Sequence, residues 1–166
     1  HEAGHVVLME WCGIPVSEAT AAPHEGLACI APDDGELLDL ETLEYDKPLA
    51  AAQLAAMYHA GIVAELMHAG HPWRGVAVRW KSRDWQSAYT VLQPHFGHGL
   101  AGHGFAQRTA LAVLSRQWPR VQEIAQRLIE DGRWTPTPDP TRPPNPRAPH
   151  QDRMRPARSE IGRALV

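Results

Sequence analysis

The sequence predicts an α+β fold, mainly helical, with a small β-element beside its first helix. Three observations carry that prediction. Segments 1–13, 48–69, 83–92 and 105–131 read as helices closed or broken by Gly or Pro. Two short stretches, 14–22 and 27–31, read as strands joined by a turn at Pro23-His24-Glu25-Gly26. The composition is 43% apolar over 166 residues, with six Trp, enough for one real core.

The first helix runs from the start to about Gly13, where Gly13-Ile14-Pro15 stops it. It opens with His1-Glu2-Ala3-Gly4-His5. His1 and His5 are four apart and share one helical face, the spacing at which two imidazoles hold one zinc ion. Glu2 beside the first ligand is placed to act as general base on a water at the metal. Two ligands do not make a site, so a third is required. Gly4, inside the helix at a cost of about 1 kcal/mol, implies a close approach, expected here from a strand crossing.

An acidic stretch from Asp33 to Glu44 reads as a loop. Asp46 is the expected N-cap of the second helix, with Pro48 in its first turn and Gly70 and Pro72 as stops. Leu54, Met57, Ile62 and Leu66 mark its buried side. Segment 71–80 is irregular or a short strand. Ser82 caps the third helix, Arg83 to Leu92, which puts Asp84 in the first turn, where its charge suits the helix dipole.

Gln93 to Gly104, with His95, His98 and His103 among four glycines, reads as a solvated loop; the other reading is a second metal site or a lid. Two helical segments meet at Trp118-Pro119, where proline kinks or breaks the helix. Leu111, Leu114, Val121, Ile124, Leu128 and Ile129 form their expected core face, and Gly132 ends them. His68 and His71 suit the C-terminus of the second helix.

The expected division is a folded body over 1–132 and a Pro/Arg-rich, extended or disordered tail over 133–166. From Thr135 the tail has six Arg against Asp139, Asp152 and Glu160, leaving the body at −6 of the total −3. An acidic body argues against nucleic acid as a partner. No uninterrupted apolar run approaches the ~18 residues of a membrane span. Cys12 and Cys29 form neither a metal pair nor a disulfide framework, and suit a reducing, cytoplasmic setting. A start at a metal ligand with no Met before it reads as a segment of something longer, which leaves room for an upstream domain or tether.

The order of these motifs resembles the peptidase domain of the FtsH-type, AAA-associated zinc metallopeptidases. His1 to His5 matches that family's zinc-helix motif. Thr20-Ala21-Ala22-Pro23, then Gly26 to Asp34, resembles its strand, turn and second strand ending in Pro and acids. Ala60-Gly61-Ile62-Val63-Ala64-Glu65-Leu66 resembles its small-residue helix, and Ser82-Arg83-Asp84 the Ser-Asn-Asp that opens a later helix. The resemblance covers about 1–132. It implies a zincin-like helical peptidase domain holding Zn2+ through His1, His5 and Asp84, with a polypeptide as substrate. Ring hexamers in the family imply a homo-oligomer.

The departures are specific. No Gly-x-x-x-x-Gly-Lys-Thr loop is present, so any ATPase is a separate partner or domain. Ala60-Gly61-Ile62 stands where the family has Gly-Gly-Arg.

Glu65 has three readings: third ligand, acceptor that orients a ligand imidazole, or helix-surface carboxylate. Gly26, Leu27, Ala28, Cys29 and Ile30 form a candidate substrate strand, able to pair main chain to main chain with an extended peptide if it lies at a sheet edge. The resulting expectation is hydrolysis of peptide bonds in extended or unfolded segments. The rival is a peptidase-like zinc-binding module that regulates or docks without cleaving; an intact Glu2 argues against it.

Overall fold

The computed structural model describes residues 1–22, 25–30, 47–71, 77–79 and 81–137, with backbone alone at 22 and 25–30. Five helices and a small sheet follow in the order α1 (Glu2–Trp11), β1 (Val16–Ala22), β2 (Glu25–Ile30), α2 (Pro48–His68), α3 (Arg83–Phe96), α4 (Ala101–Arg116), α5 (Trp118–Asp131) and β3 (Arg133–Trp134). The fold is α+β and mainly helical. The expected turn at Pro23-His24, the acidic loop and the tail beyond 137 lie outside the described residues. The N-cap of α2 is Lys47 and not the expected Asp46, because Pro48 opens the helix and holds the residue before it extended.

Helix α2 is the centre of the molecule, with α1, α3 and α4 packed around it. Alanine at 51, 52, 55, 56, 60 and 64, all buried, lets three neighbours approach one rod. At 21 residues and mean hydropathy 1.3, α2 is long and apolar enough to cross a membrane. Tyr58 and His59 interrupt its apolar run, and 67% of its most apolar window is buried inside the fold, where a core helix uses its apolarity.

Helix α1 is buried over Ala3–Met9, wedged between α2, α5 and the sheet. Both α1 and α2 end in the same left-handed turn. Gly13 (φ 76°) and Gly70 (φ 67°) follow the caps, and Ile14 and His71 donate back to the Met9 and Leu66 carbonyls. Gly4 does mark a close approach, but to a helix. A Cβ there would lie 2.6 Å from the Ala60 carbonyl oxygen and 2.9 Å from the Ala64 Cβ. The small residues of α2, not a strand, demand that glycine.

The sheet is antiparallel with order β2-β1-β3. Its register pairs Thr20 with Leu27 and Ala21 with Gly26, slipping by one residue at Ser17. Strand β3 pairs Ala19 with Trp134, extending the folded body two residues past 132; Trp134 is buried under the Arg120 guanidinium.

Two expectations are corrected. The Gly/His-rich stretch 93–104 is not a loop: α3 runs through Pro94 to Phe96, and α4 begins at Ala101, leaving only 97–100 between them. Gly102 is the reason, since any Cβ there would meet Phe96 at 2.9 Å. Packing of α4 on α3 overrides the poor helix propensity of glycine. Ile129 is not core but 78% exposed. Val121, Ile124 and Leu128 are buried along one stripe of α5, and the next residue lies about 100° around the helix. Of the kink or break expected at Pro119 the chain takes the break: α4 ends at Arg116 and Pro119 lies in the first turn of α5.

Candidate metal centre

His1 caps α1 and His5 lies one turn inside it, their rings 4.9 Å apart between centroids. Asp84 comes from the first turn of α3, fixed there by Ser82, whose Oγ accepts from the Trp85 backbone N–H at 3.1 Å. One ligand atom from each of His1, His5 and Asp84 lies within 4.8 Å of the other two, the one such grouping among the described residues. Asp84 Oδ2 is 3.3 Å from His1 Nε2 and 3.8 Å from His5 Nε2. Donors bound tetrahedrally at ~2.0–2.1 Å stand ~3.3–3.5 Å apart, so the two carboxylate–imidazole distances lie near those of one shared zinc ion.

The other face of each imidazole is already engaged. His1 Nδ1 donates to Glu65 Oε1 at 2.5 Å, and His5 Nδ1 donates to the Met57 carbonyl at 2.9 Å. Both acceptors come from α2, two turns apart on the side facing α1. Each bond fixes a ring orientation and a tautomer that leaves Nε2 directed at Asp84. Between them sits Gly61, where any Cβ would collide with the His1 ring. Helix α2 therefore shapes the site without supplying a donor atom to the cluster.

The electrostatics follow from burial and proximity. The hydrogen bond to Asp84 raises His1 to about 9, against burial and with help from Glu65. Burial pushes His5 down, partly opposed by the Asp84 charge. Burial also pushes the Asp84 carboxyl up, but the His1 hydrogen bond and both imidazoles outweigh it and hold it below the usual range. Burial raises the half-buried Glu2 carboxyl, with His1 pulling the other way. A proton on His1 sits where a cation would, so the donor set suits a divalent ion that displaces it.

The remaining candidates fall elsewhere. Strand β2, carrying Gly26–Ile30, packs beside α1 and, among the described residues, is an edge of the sheet. His68 and His71 are exposed at the end of α2. Cys12 is half-buried, its thiol pushed up to about 11 by burial. His95 lies in the last turn of α3 and His98 in the connection to α4, where Tyr89 Oη donates to His98 Nδ1 at 2.5 Å. His103 is 2% exposed in α4 and hydrogen-bonded to the equally hidden His59, so the solvated-loop expectation fails for it.

Sequence reasoning missed Met57, because a backbone acceptor has no residue signature. It also missed His59, although a histidine in an alanine-rich helix was a visible signal. Compared with protein-family models, curated proteins and solved structures, the chain matches none.

Proposed function

We infer that this chain is a zinc-dependent endopeptidase, FtsH-like but without an ATPase of its own, acting on extended or unfolded protein segments. One observation carries the reading: His1 Nε2, His5 Nε2 and an Asp84 oxygen converge from two helices, with both Nδ1 atoms already engaged. A closed structural zinc site uses four protein ligands, whereas three leave a position for chemistry. When bound, the ion supplies Lewis acidity toward a carbonyl and a water.

The protein's own groups do the rest. Glu2, next to His1 in the first turn of α1 and raised by burial, is a carboxylate able to take a proton. It accepts one proton as the water oxygen bonds to the scissile carbonyl carbon. It returns that proton to the amide nitrogen as the C–N bond breaks. The edge position of β2 among the described residues supports main-chain pairing with an extended substrate, which needs no particular side chains.

The test is incubation of the purified chain with unfolded casein, with and without a chelator, beside Glu2→Gln. Cleavage that the chelator abolishes and that falls at least ~100-fold in Glu2→Gln is the expected result. Zinc binding without cleavage supports the regulatory module instead. Full activity in Glu2→Gln removes the mechanism.

A further inference from the structure

Two histidines lie buried outside the metal cluster. His59 on α2 and His103 on α4 are 1% and 2% exposed, and a 3.0 Å hydrogen bond joins His59 Nε2 to His103 Nδ1, one ring donating and the other accepting. Burying two imidazoles is costly unless they are paired, and apolar residues would fill the same space without that cost. Their neighbour gives the pair a purpose. Trp85, the residue after Asp84, stacks flat on His103 at 4.0 Å between centroids and 5° between planes. The same indole meets the His59 ring at 5.4 Å, tilted by 59°. Tyr89, one turn on, lies nearly parallel to His103 at 6.2 Å.

We propose that the His59–His103 pair and Trp85 form a clamp that positions Asp84. This rests on the reading of His1, His5 and Asp84 as a metal site. The hydrogen bond sets the plane of the His103 ring, since rotation would break it inside the core. That plane seats Trp85, and Trp85 holds the first turn of α3 against α2 and α4. Asp84 is the one donor of the cluster that does not come from α1, and it is half-exposed. The Ser82 cap shapes its turn through a bond made within α3 itself. The ring clamp supplies the missing registration, so these are positioning residues that never touch the ion.

The test measures zinc affinity of the full chain by chelator competition and the visible spectrum of its cobalt-substituted form, which reports coordination geometry. Far-UV circular dichroism establishes that each variant is folded. Trp85→Leu should weaken zinc about 10–100-fold, as loss of an outer partner of a metal ligand does, and alter the cobalt spectrum. Trp85→Phe, which keeps a ring to stack, should recover most of the affinity. His103→Ala should match Trp85→Leu, and the double variant should cost little more than either alone, because both break one device. Folded Trp85→Leu with the affinity and cobalt spectrum of the unaltered chain overturns the proposal, as does Trp85→Phe no better than Trp85→Leu. Should His103→Ala fail to fold, the Trp85 pair alone decides. No zinc binding by the unaltered chain overturns the metal-site reading and this proposal with it.

Discussion

Gly61→Ala should separate the site from the fold. The Cβ it adds would lie 2.5 Å from His1 Cδ2 and 2.6 Å from His1 Cε1. Ordinary carbon contacts sit near ~3.5–4.0 Å, so the ring must retreat by about 1 Å. It is a half-exposed side chain at a helix end and can swing outward. A shift of that size disturbs both the 3.3 Å Nε2–Asp84 contact and the 2.5 Å Nδ1–Glu65 bond. Losing the orientation of one ligand costs zinc affinity about 10–100-fold, and a 1 Å misplacement costs turnover about 100-fold. The fold should not suffer, because alanine is favoured over glycine inside a helix by about 1 kcal/mol. Gly4→Ala is the opposite case. Its Cβ meets the Ala60 carbonyl oxygen at 2.6 Å and the Ala64 Cβ at 2.9 Å, neither able to swing aside. Overpacking there should cost about 1–3 kcal/mol, a fall in Tm of several degrees. Thermal unfolding of the zinc-free chain, beside zinc titration against a chromogenic chelator, measures both. Gly61→Ala with unchanged zinc affinity would refute the placement of His1 in the site.

Three further outcomes are expected. Asp84→Ala should lose most bound zinc by metal analysis, whereas Glu65→Ala should keep the ion with affinity reduced about 10–100-fold; the reverse order would make Glu65 the ligand. Glu2→Gln should retain full zinc stoichiometry while hydrolysis falls at least ~100-fold, and loss of the metal in that variant would make Glu2 a ligand instead of a base. The buried His59, lowered to about 3 chiefly by burial and then by His103, makes the fold acid-sensitive. Below 6.5 His59 of the unfolded chain takes up a proton that the folded chain refuses, so this contribution is nil above 6.5 and costs stability as pH drops toward 3, whereas His1, raised to about 9, changes stability between 6.5 and 9. The loss between pH 7 and 5 is on the order of 2 kcal/mol. Urea unfolding at the two pH values measures it, and His59→Gln, with an amide near the ring Nε2, should flatten the dependence. An equal slope in that variant would place the acid sensitivity elsewhere.

The elements with strong punctuation were legible. Gly13, Pro48, Gly70, Ser82, Pro119 and Gly132 mark helix ends by local backbone chemistry that tertiary structure had no cause to override. The stretch 93–104 failed because Gly102 serves close packing of α4 on Phe96, a cause that lies in another helix. Strand β3 is two residues long and exists through its pairing with β1, so it had no pattern of its own. For the site, the i, i+4 histidines were visible because helix geometry alone brings them together. Asp84 is 79 residues beyond His5 and was reachable only through the order of motifs. Met57 and Gly61 were out of reach, one acting through its carbonyl and the other through the side chain it lacks.

The most direct test is the coordination shell of the zinc-loaded chain, located by anomalous scattering at the zinc edge. One ion should lie ~2.0–2.2 Å from His1 Nε2, His5 Nε2 and an Asp84 oxygen, with its fourth position open to solvent. An ion held elsewhere, or one closed by a fourth protein ligand, would contradict the account.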